Sequence, residues 1–303
     1  MKKVLKALLP PKWRTILETN LGMPRRIFVL EKQVRLLAQQ TALSHYAGQV
    51  PQGRLKSPLN QHELKVFSQN GEDGILLYLF SLVGVTDRRF IEFGVGDGME
   101  CNGAHLAIHC GWHGLMMDCV ESNIACARSF YAERLGPAAP AIELASCFIT
   151  AENVNETFRS HGFEGEIDLL SIDIDGNDYW VWKAIDCVTP RVVVVEYNAC
   201  LGFTDPITVT YDPTFNRFEK HPSLLYFGAS LSALTKLAQA KGYLLAGCDQ
   251  HGVNAFFVRE DVAAGKLEAL TPEQAFFPLQ DRLLGLITPA DFRRIEDMTF
   301  ETV

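Results

Sequence analysis

No stretch of about 18 apolar residues occurs anywhere in the 303-residue chain, so no transmembrane helix is expected. The eight cysteines contain no CxxC pair. That removes the zinc-knuckle reading and suggests reduced thiols in a cytoplasm rather than a disulfide framework. A glycine turn at residues 94–98 lacks the lysine and Ser/Thr of a phosphate-cradling loop. It also lacks the third glycine of a dinucleotide fingerprint, since Met99 stands there. Internal repeats and low-complexity segments are absent. Residues 1–11 have a basic head, but the apolar part is too short for a signal peptide and no small-residue cleavage site follows.

What is present is an ordinary globular composition, 48% hydrophobic and 21% charged. The length suits one large α/β domain with extensions, or two small domains. The net charge of −8 is uneven: residues 1–50 hold nine Lys/Arg against two Asp/Glu, so the remainder carries −15. An acidic body does not suit a nucleic-acid partner, whose phosphates call for a basic site. The basic arm suits an anionic membrane surface, such as the inner face of the cell membrane, or a partner protein. Within it, Ile27, Leu30, Val34 and Leu37 fall at helical spacing behind Pro24. That helix either packs on the main domain or a sister chain, or serves as a membrane or oligomer arm. The expected divisions are 1–58, a basic helical extension and linker; 59–260, the main domain; and 261–303, a C-terminal extension of helices and loops.

The main domain is organised around Phe90-Ile91-Glu92-Phe93-Gly94-Val95-Gly96-Asp97-Gly98, a buried strand leading into glycines at every second position. Asn102–Ile108 then reads as a helix stopped by Gly111. Strand, glycine turn and helix bring backbone close to a nucleoside-like ligand in a doubly wound (Rossmann-like) α/β sheet. Gly114–Asp118 is a second strand, and Asp118 lies at the spacing at which a carboxylate accepts from ribose hydroxyls. Ser68–Gly74, with Gln69 and Glu72, precedes the helical run Ile75–Phe80; it caps that helix or reaches a ligand's polar end. His105, His109 and His113 are read as partly buried core histidines, not metal ligands, because Gly111 interrupts their helix.

Two further buried strands end in oxygen-rich pairs. Ile167–Ile172 delivers Asp173 and Asp175; Arg191–Val195 delivers Glu196 and Asn198. A spacing of two puts each pair on one side of an extended chain. Asp173, Glu196 and Asn198 make a candidate site for Mg²⁺ or another hard divalent cation, or else bind ligand and orient loops. Cys200–Pro222 is a long polar and aromatic loop of the kind that forms a lid or specificity element. Its His221 is either a general base or a loop histidine without catalytic duty. Gly228–Leu231 starts another helix. Tyr243–Cys248 and Val253–Val258 flank Asp249–Gly252 as a hairpin, giving an antiparallel last strand.

Glu92-x-Gly94-x-Gly96-x-Gly98, followed in order by Asp118, Asp173 and the closing hairpin, resembles class I S-adenosylmethionine-dependent methyltransferases. Ser68-Gln69-x-Gly71-Glu72-Asp73-Gly74, Ser171-Ile172-Asp173-Ile174-Asp175-Gly176, Val195–Asn198 and Gly228–Leu231 resemble the FkbM-like family within that class. The resemblance spans residues 62–260. It implies a seven-stranded, mostly parallel sheet with an antiparallel last strand, and O-methylation of a sugar, glycan or related hydroxylated acceptor, as in polysaccharide biosynthesis. It also implies that Gln69, Glu72, Glu92, Gly94, Gly96, Asp118 and Asp173 serve the cofactor. Asp173 would then lie near the methyl donor, with Glu196 and His221 as further catalytic candidates. Two other functions stand beside it: a nicotinamide oxidoreductase, against which Met99 speaks, and a non-catalytic partner subunit of methyltransferase fold.

Overall fold

A computed structural model describes residues 58–303. The basic helix expected around Ile27–Leu37 and most of the 1–58 extension lie outside the described residues. Among the described residues no helix is long and apolar enough to cross a membrane.

Seven strands form one sheet: β1 (Arg89–Phe93), β2 (His113–Asp118), β3 (Ile142–Ser146), β4 (Gly165–Ile172) and β5 (Val188–Glu196) come first. A short strand, β6 (Ile207–Val209), stands outside the sheet; β7 (Tyr243–Cys248) and β8 (Asn254–Arg259) complete it. Their spatial order is β3-β2-β1-β4-β5-β8-β7. The first five strands pair in parallel, whereas β8 runs antiparallel to both its neighbours. The sheet is therefore the doubly wound, seven-stranded, mostly parallel one expected, with the last strand reversed. Buried on both faces, its central strands need β-branched and aromatic side chains throughout. Val192, Val193, Val194 and Val195 on β5 are all fully buried.

In open α/β sheets, ligand crevices form where the strand order reverses. Strand order reverses at β1, whose neighbours are β2 and β4, and the chain leaves the C-terminal ends of these strands in opposite directions. The crevice thereby opened carries the glycine turn on one side and Asp173 on the other.

The helix Glu72–Val83 follows the Ser68–Gly74 segment, and the structure explains most of that motif internally. Asp73 Oδ2 accepts from the amides of Val66, Phe67 and Ser68 at 2.7–2.8 Å and from the Ser68 hydroxyl at 2.9 Å. The Ser68 hydroxyl in turn accepts from the Asp73 amide. Burial pushes the Asp73 carboxyl up to about 6, against the pull of these donors. Asp73→Ala is expected to lower the unfolding free energy by about 3 kcal/mol or more, since three amides lose their acceptor at roughly 1–3 kcal/mol each. Asp73→Asn keeps one oxygen and is expected to cost under about 1 kcal/mol on the same reasoning. Urea unfolding of the two variants side by side tests this; equal losses would refute it.

Two expectations need correction. Residues 261–303 are not only helices and loops: they add a small hairpin, β9 (Leu279–Asp281) with β10 (Gly285–Ile287), and a final strand β11 (Phe300–Thr302). β11 pairs antiparallel with β6, so the chain's end is stitched to the long loop after β5. Of the three histidines, His105 is fully buried, while His113 opens β2 and is exposed. Burial lowers His105 to about 4, so its ring stays neutral at physiological pH.

Candidate active site

A cavity of about 300 Å³ runs along the C-terminal ends of β3, β2, β1 and β4. That is at the small end of the range for ligand sites. Following the sheet, its wall passes from Cys147 and Phe148 after β3 to Asp118 and Cys119 at the end of β2. It then crosses Gly94 and Gly96, and ends at Asp173, Asp175 and Asn177, with Phe215 from the long loop.

The glycines of the turn do different work. Gly94 has φ +81°, and a Cβ there would lie 1.5 Å from the Asp173 carbonyl oxygen. This glycine lets β1 and the end of β4 pass in contact, which sets the position of Asp173. Gly96 has φ +54°, and an added Cβ would meet nothing within 4 Å. It faces open space in the cavity wall, where a ligand can lie against backbone. Gly98 instead packs on Ala127 and Tyr131.

Asp118 secures this turn. Its Oδ2 accepts from the Gly96 amide at 2.9 Å, and its Oδ1 from the Val120 amide and Asn123 Nδ2. The carboxylate is thus held rigidly on the cavity wall, with lone-pair capacity left on Oδ2 for a hydroxyl donor.

Glu92 lies two residues before the turn but is not on the cavity wall. Its two oxygens accept from the first amides of the helix Asn102–Cys110: Asn102 at 2.7 Å and Gly103 at 2.6 Å. A negative side chain at a helix N-terminus satisfies orphan donors and complements the helix dipole. Burial pushes the Glu92 carboxyl up to about 7. Gln69 is exposed and Glu72 is buried, and neither lines the cavity. Glu72 accepts from the Asn70 amide and from Asn254 Nδ2, tying the Ser68–Gly74 segment to β8.

At the β4 end three carboxylates converge. Asp173, Asp178 and Glu196 each offer an oxygen, all within 4.8 Å of one another. Burial, and after it the neighbouring carboxylates, raises both Asp173 and Glu196 well above the ordinary range. Glu196 Oε2 is buried without a hydrogen-bond partner. Asp178 opens the helix Asp178–Ala184 and accepts from the amides of Ile174 and Gly176. An interior oxygen without a donor, beside two more carboxylates, is satisfied by a proton or by a cation. Hard oxygen ligands of this kind fit Mg²⁺ or Ca²⁺, with water completing the shell.

The expected ligand set is therefore altered. Asn198 is not brought into the cluster: its Nδ2 donates to the carbonyls of Leu225 and Phe227, and its Oδ1 accepts from the Cys200 amide. All its polar atoms hold the following loop. Asp178 stands in its place, a residue that the spacing-of-two rule does not find. The same rule fails at Asp175, whose left-handed backbone (φ +54°) ends the extended run. Asp175 turns outward to Arg217, which also lies 3.6 Å over the Phe227 ring.

The long loop is fastened rather than free. Asn177 Nδ2 donates to the Asp212 carbonyl at 2.7 Å, and Trp180 Nε1 to the Val209 carbonyl at 2.8 Å. Tyr226 donates its hydroxyl proton to the Thr299 carbonyl. Phe215 packs so closely on Gly176 that a Cβ there would lie 2.3 Å from its ring. The loop thus forms a fixed wall of the crevice. His221 does not line the cavity; its Nδ1 is engaged with the Ser223 hydroxyl at 2.7 Å.

No protein-family model matches the chain, and no curated protein matches it. Among solved structures it is similar to an O-methyltransferase from Bacillus cereus in complex with SAH. Identity is 16%, over 72% of this chain and 89% of that one, with a TM-score of 0.39. It is also similar to TomG from Streptomyces achromogenes, an O-methyltransferase of tomaymycin synthesis in complex with SAM. Here identity is 18%, over 72% and 89% of the chains, with a TM-score of 0.40. A third is the N-terminal domain of EvdMO1 in the presence of SAH and D-fucose, at 13% identity over 71% and 94%, with a TM-score of 0.40. All three likenesses are remote.

Proposed function

We propose that the chain is an S-adenosylmethionine-dependent O-methyltransferase of FkbM-like type, acting on a sugar, glycan or related hydroxylated acceptor. The observation that carries this reading is the occupation of the helix N-terminus after the glycine turn. In a dinucleotide fold those amides receive the cofactor's pyrophosphate. Here the Asn102 and Gly103 amides are held by both oxygens of Glu92. A second anion there would meet a buried carboxylate and two amides already held. The glycine turn therefore suits a nucleoside cofactor without phosphate, which argues against a nicotinamide dinucleotide.

The residues present fit that cofactor. Gly96 leaves room for it against the backbone, and Asp118 supplies an acceptor for ribose hydroxyls. When bound, it supplies an activated methyl group on a sulfonium. The chain's own part is to orient the acceptor hydroxyl for in-line attack and take up its proton. Asp173, on the cavity wall, is placed for that role, and Glu196 stands behind it in the cluster, off the wall. When ionised, a carboxylate with a raised affinity for protons is a stronger base than an ordinary one. A divalent cation held by Asp173, Asp178 and Glu196 would serve the same end by lowering the hydroxyl's pKa.

Titration calorimetry with S-adenosylhomocysteine tests the reading. The expected dissociation constant is about 1–100 µM, within the usual span for enzyme ligands. Asp118→Ala is expected to weaken it at least about tenfold, the cost of one charge-assisted hydrogen bond pair. NADH is expected to give no heat. Folded protein that ignores S-adenosylhomocysteine, or that takes NADH instead, would sink the proposal.

A further inference from the structure

Two leucines stand in water at the end of the β9–β10 hairpin: Leu283 is 93% exposed and Leu286 62% exposed. Loose packing is not the cause. Leu279 and Ile287, paired across the hairpin, are buried. The Asp281 carboxylate accepts from the amides of Leu283 and Leu284 at 2.6–2.7 Å, a local turn that holds the tip in one shape. The hairpin is also fastened to the β7–β8 turn. The Gln280 amide donates to the His251 carbonyl at 2.7 Å, and its side chain to the Gln250 carbonyl at 3.1 Å. An ordered tip that keeps two neighbouring large apolar side chains in water marks an interaction surface.

The same turn holds the root of the basic arm. The short 3-10 helix Leu59–His62 opens the described chain, and Leu59 packs on Gly247 in β7, where a Cβ would lie 3.1 Å from it. Glu63 accepts from the Gln250 amide at 2.7 Å. Gln250 therefore bonds both to the arm's root and to the hairpin. Leu283 lies three residues beyond Gln280, within about 10 Å of chain. Ahead of this root, residues 1–50 carry nine Lys/Arg against two Asp/Glu, whereas the remainder carries −15. Because β8 is antiparallel to both β5 and β7, the C-terminal end of β7 lies on the edge of the sheet where the crevice opens.

We propose that this edge docks on an anionic lipid surface, with Leu283 and Leu286 entering the bilayer interface and the basic arm meeting the headgroups. Two leucines offer too little for a protein partner, since a specific interface takes about 800 Å² and about 20–30 residues from each side. A lipid interface asks for less: a few apolar side chains sink into the acyl boundary, and basic residues near the surface add attraction. One weak signal gives only marginal, reversible binding, whereas an apolar insertion beside a polybasic segment holds. Both signals meet here at one turn. Charge also sets the orientation. The carboxylate-rich body is repelled by an anionic surface, so the face beside the arm's root approaches first. At the tip itself Asp281 and Arg282 balance.

Flotation of the full-length protein with vesicles tests this. The protein should float with equimolar phosphatidylserine and phosphatidylcholine, and bind phosphatidylcholine alone at least about tenfold more weakly. Salt at about 1 M, where the screening length falls to about 3 Å, should release most of it. Leu283→Ser/Leu286→Ser should bind the mixed vesicles at least about tenfold more weakly than wild type, the worth of burying apolar side chains of this size. Val85 is 40% exposed and precedes β1, at the opposite edge of the sheet; Val85→Ser should bind as wild type does. Both leucines are in water, so neither substitution should move the urea midpoint, and Leu283→Ser alone should already weaken binding. Full-length protein that floats with neither vesicle, a double variant that binds as wild type, or binding indifferent to phosphatidylserine overturns the proposal. A wild type that sediments as a dimer, with a double variant that sediments as a monomer, overturns it too, because the leucines then cover a second copy of the chain.

Discussion

Gly94→Ala should unfold the protein more readily than any other methyl added to the glycine turn. The new Cβ would lie 1.5 Å from the Asp173 carbonyl oxygen, a contact with backbone that no rotamer relieves. β1 and the end of β4 would have to separate, although Phe93 and Ile172 are paired directly below. The left-handed backbone costs about 1–2 kcal/mol for a residue with a Cβ, and forced displacement of a packed interior adds about 1–3 kcal/mol. A loss of about 3 kcal/mol or more is a large share of a typical stability of about 5–15 kcal/mol. Gly96→Ala carries only the first of these costs, because nothing lies within 4 Å of its Cβ. It should fold and instead lose affinity for S-adenosylhomocysteine. Urea midpoints for the two variants separate the cases. Equal shifts would mean that the contact with Asp173 does not govern the turn.

That contrast bears on what a sequence makes legible. The hydrophobic runs at Phe90–Phe93, Gly114–Asp118, Ile167–Ile172 and Val192–Val195 mark strands because buried parallel strands admit little else. The hairpin that reverses the last of them followed from the same pattern, whereas the spatial order of the strands is not encoded in it. The helix Glu121–Leu135 did not stand out, since only Ile124, Ala127, Phe130 and Tyr131 are buried along its 15 residues. At the site, residue types were legible but contacts were not. Glycines spaced by two look alike in sequence, yet one faces a neighbouring strand and another open space. Glu92 reads as a cofactor ligand from its position, while its oxygens are bound to the chain's own helix.

The carboxylate pairs show the same limit more sharply. A spacing of two aligns side chains only while the backbone stays extended, and the extended run ends at Ile172 and again at Glu196. Beyond those points Asp175 takes a left-handed turn and Asn198 braces a loop. Asp178 enters the cluster from a helix start, a return that periodicity does not encode. The signal available was the run Asp173-Ile174-Asp175-Gly176-Asn177-Asp178 itself, whose small and acidic residues suit a tight turn that brings its end back.

Asp173→Asn and Glu196→Gln should each make the protein more stable and less active. Both carboxyls are raised by burial and by their neighbours. A group whose folded pKa lies above its unfolded one lends stability at low pH and withdraws it as pH climbs towards the folded value. The wild type should therefore lose stability as pH rises from about 4, the unfolded carboxyl range, while each amide variant loses less. Their advantage should be absent near pH 4 and reach about 1–2 kcal/mol at pH 8, the usual yield of relieving strain at a working site. Transfer of labelled methyl groups into host extract should fall about 10²–10⁴-fold, the worth of a positioned base. Magnesium distinguishes the two ways of neutralising the cluster. If a cation does so, millimolar Mg²⁺ raises the wild-type unfolding midpoint at pH 8 and leaves the Asp173→Asn/Glu196→Gln protein unmoved. If a shared proton does so, Mg²⁺ moves neither, and chelators leave methyl transfer intact. Variants no more stable than wild type at pH 8 would mean that the cluster carries no strain, and that Glu196 Oε2 finds its partner in water.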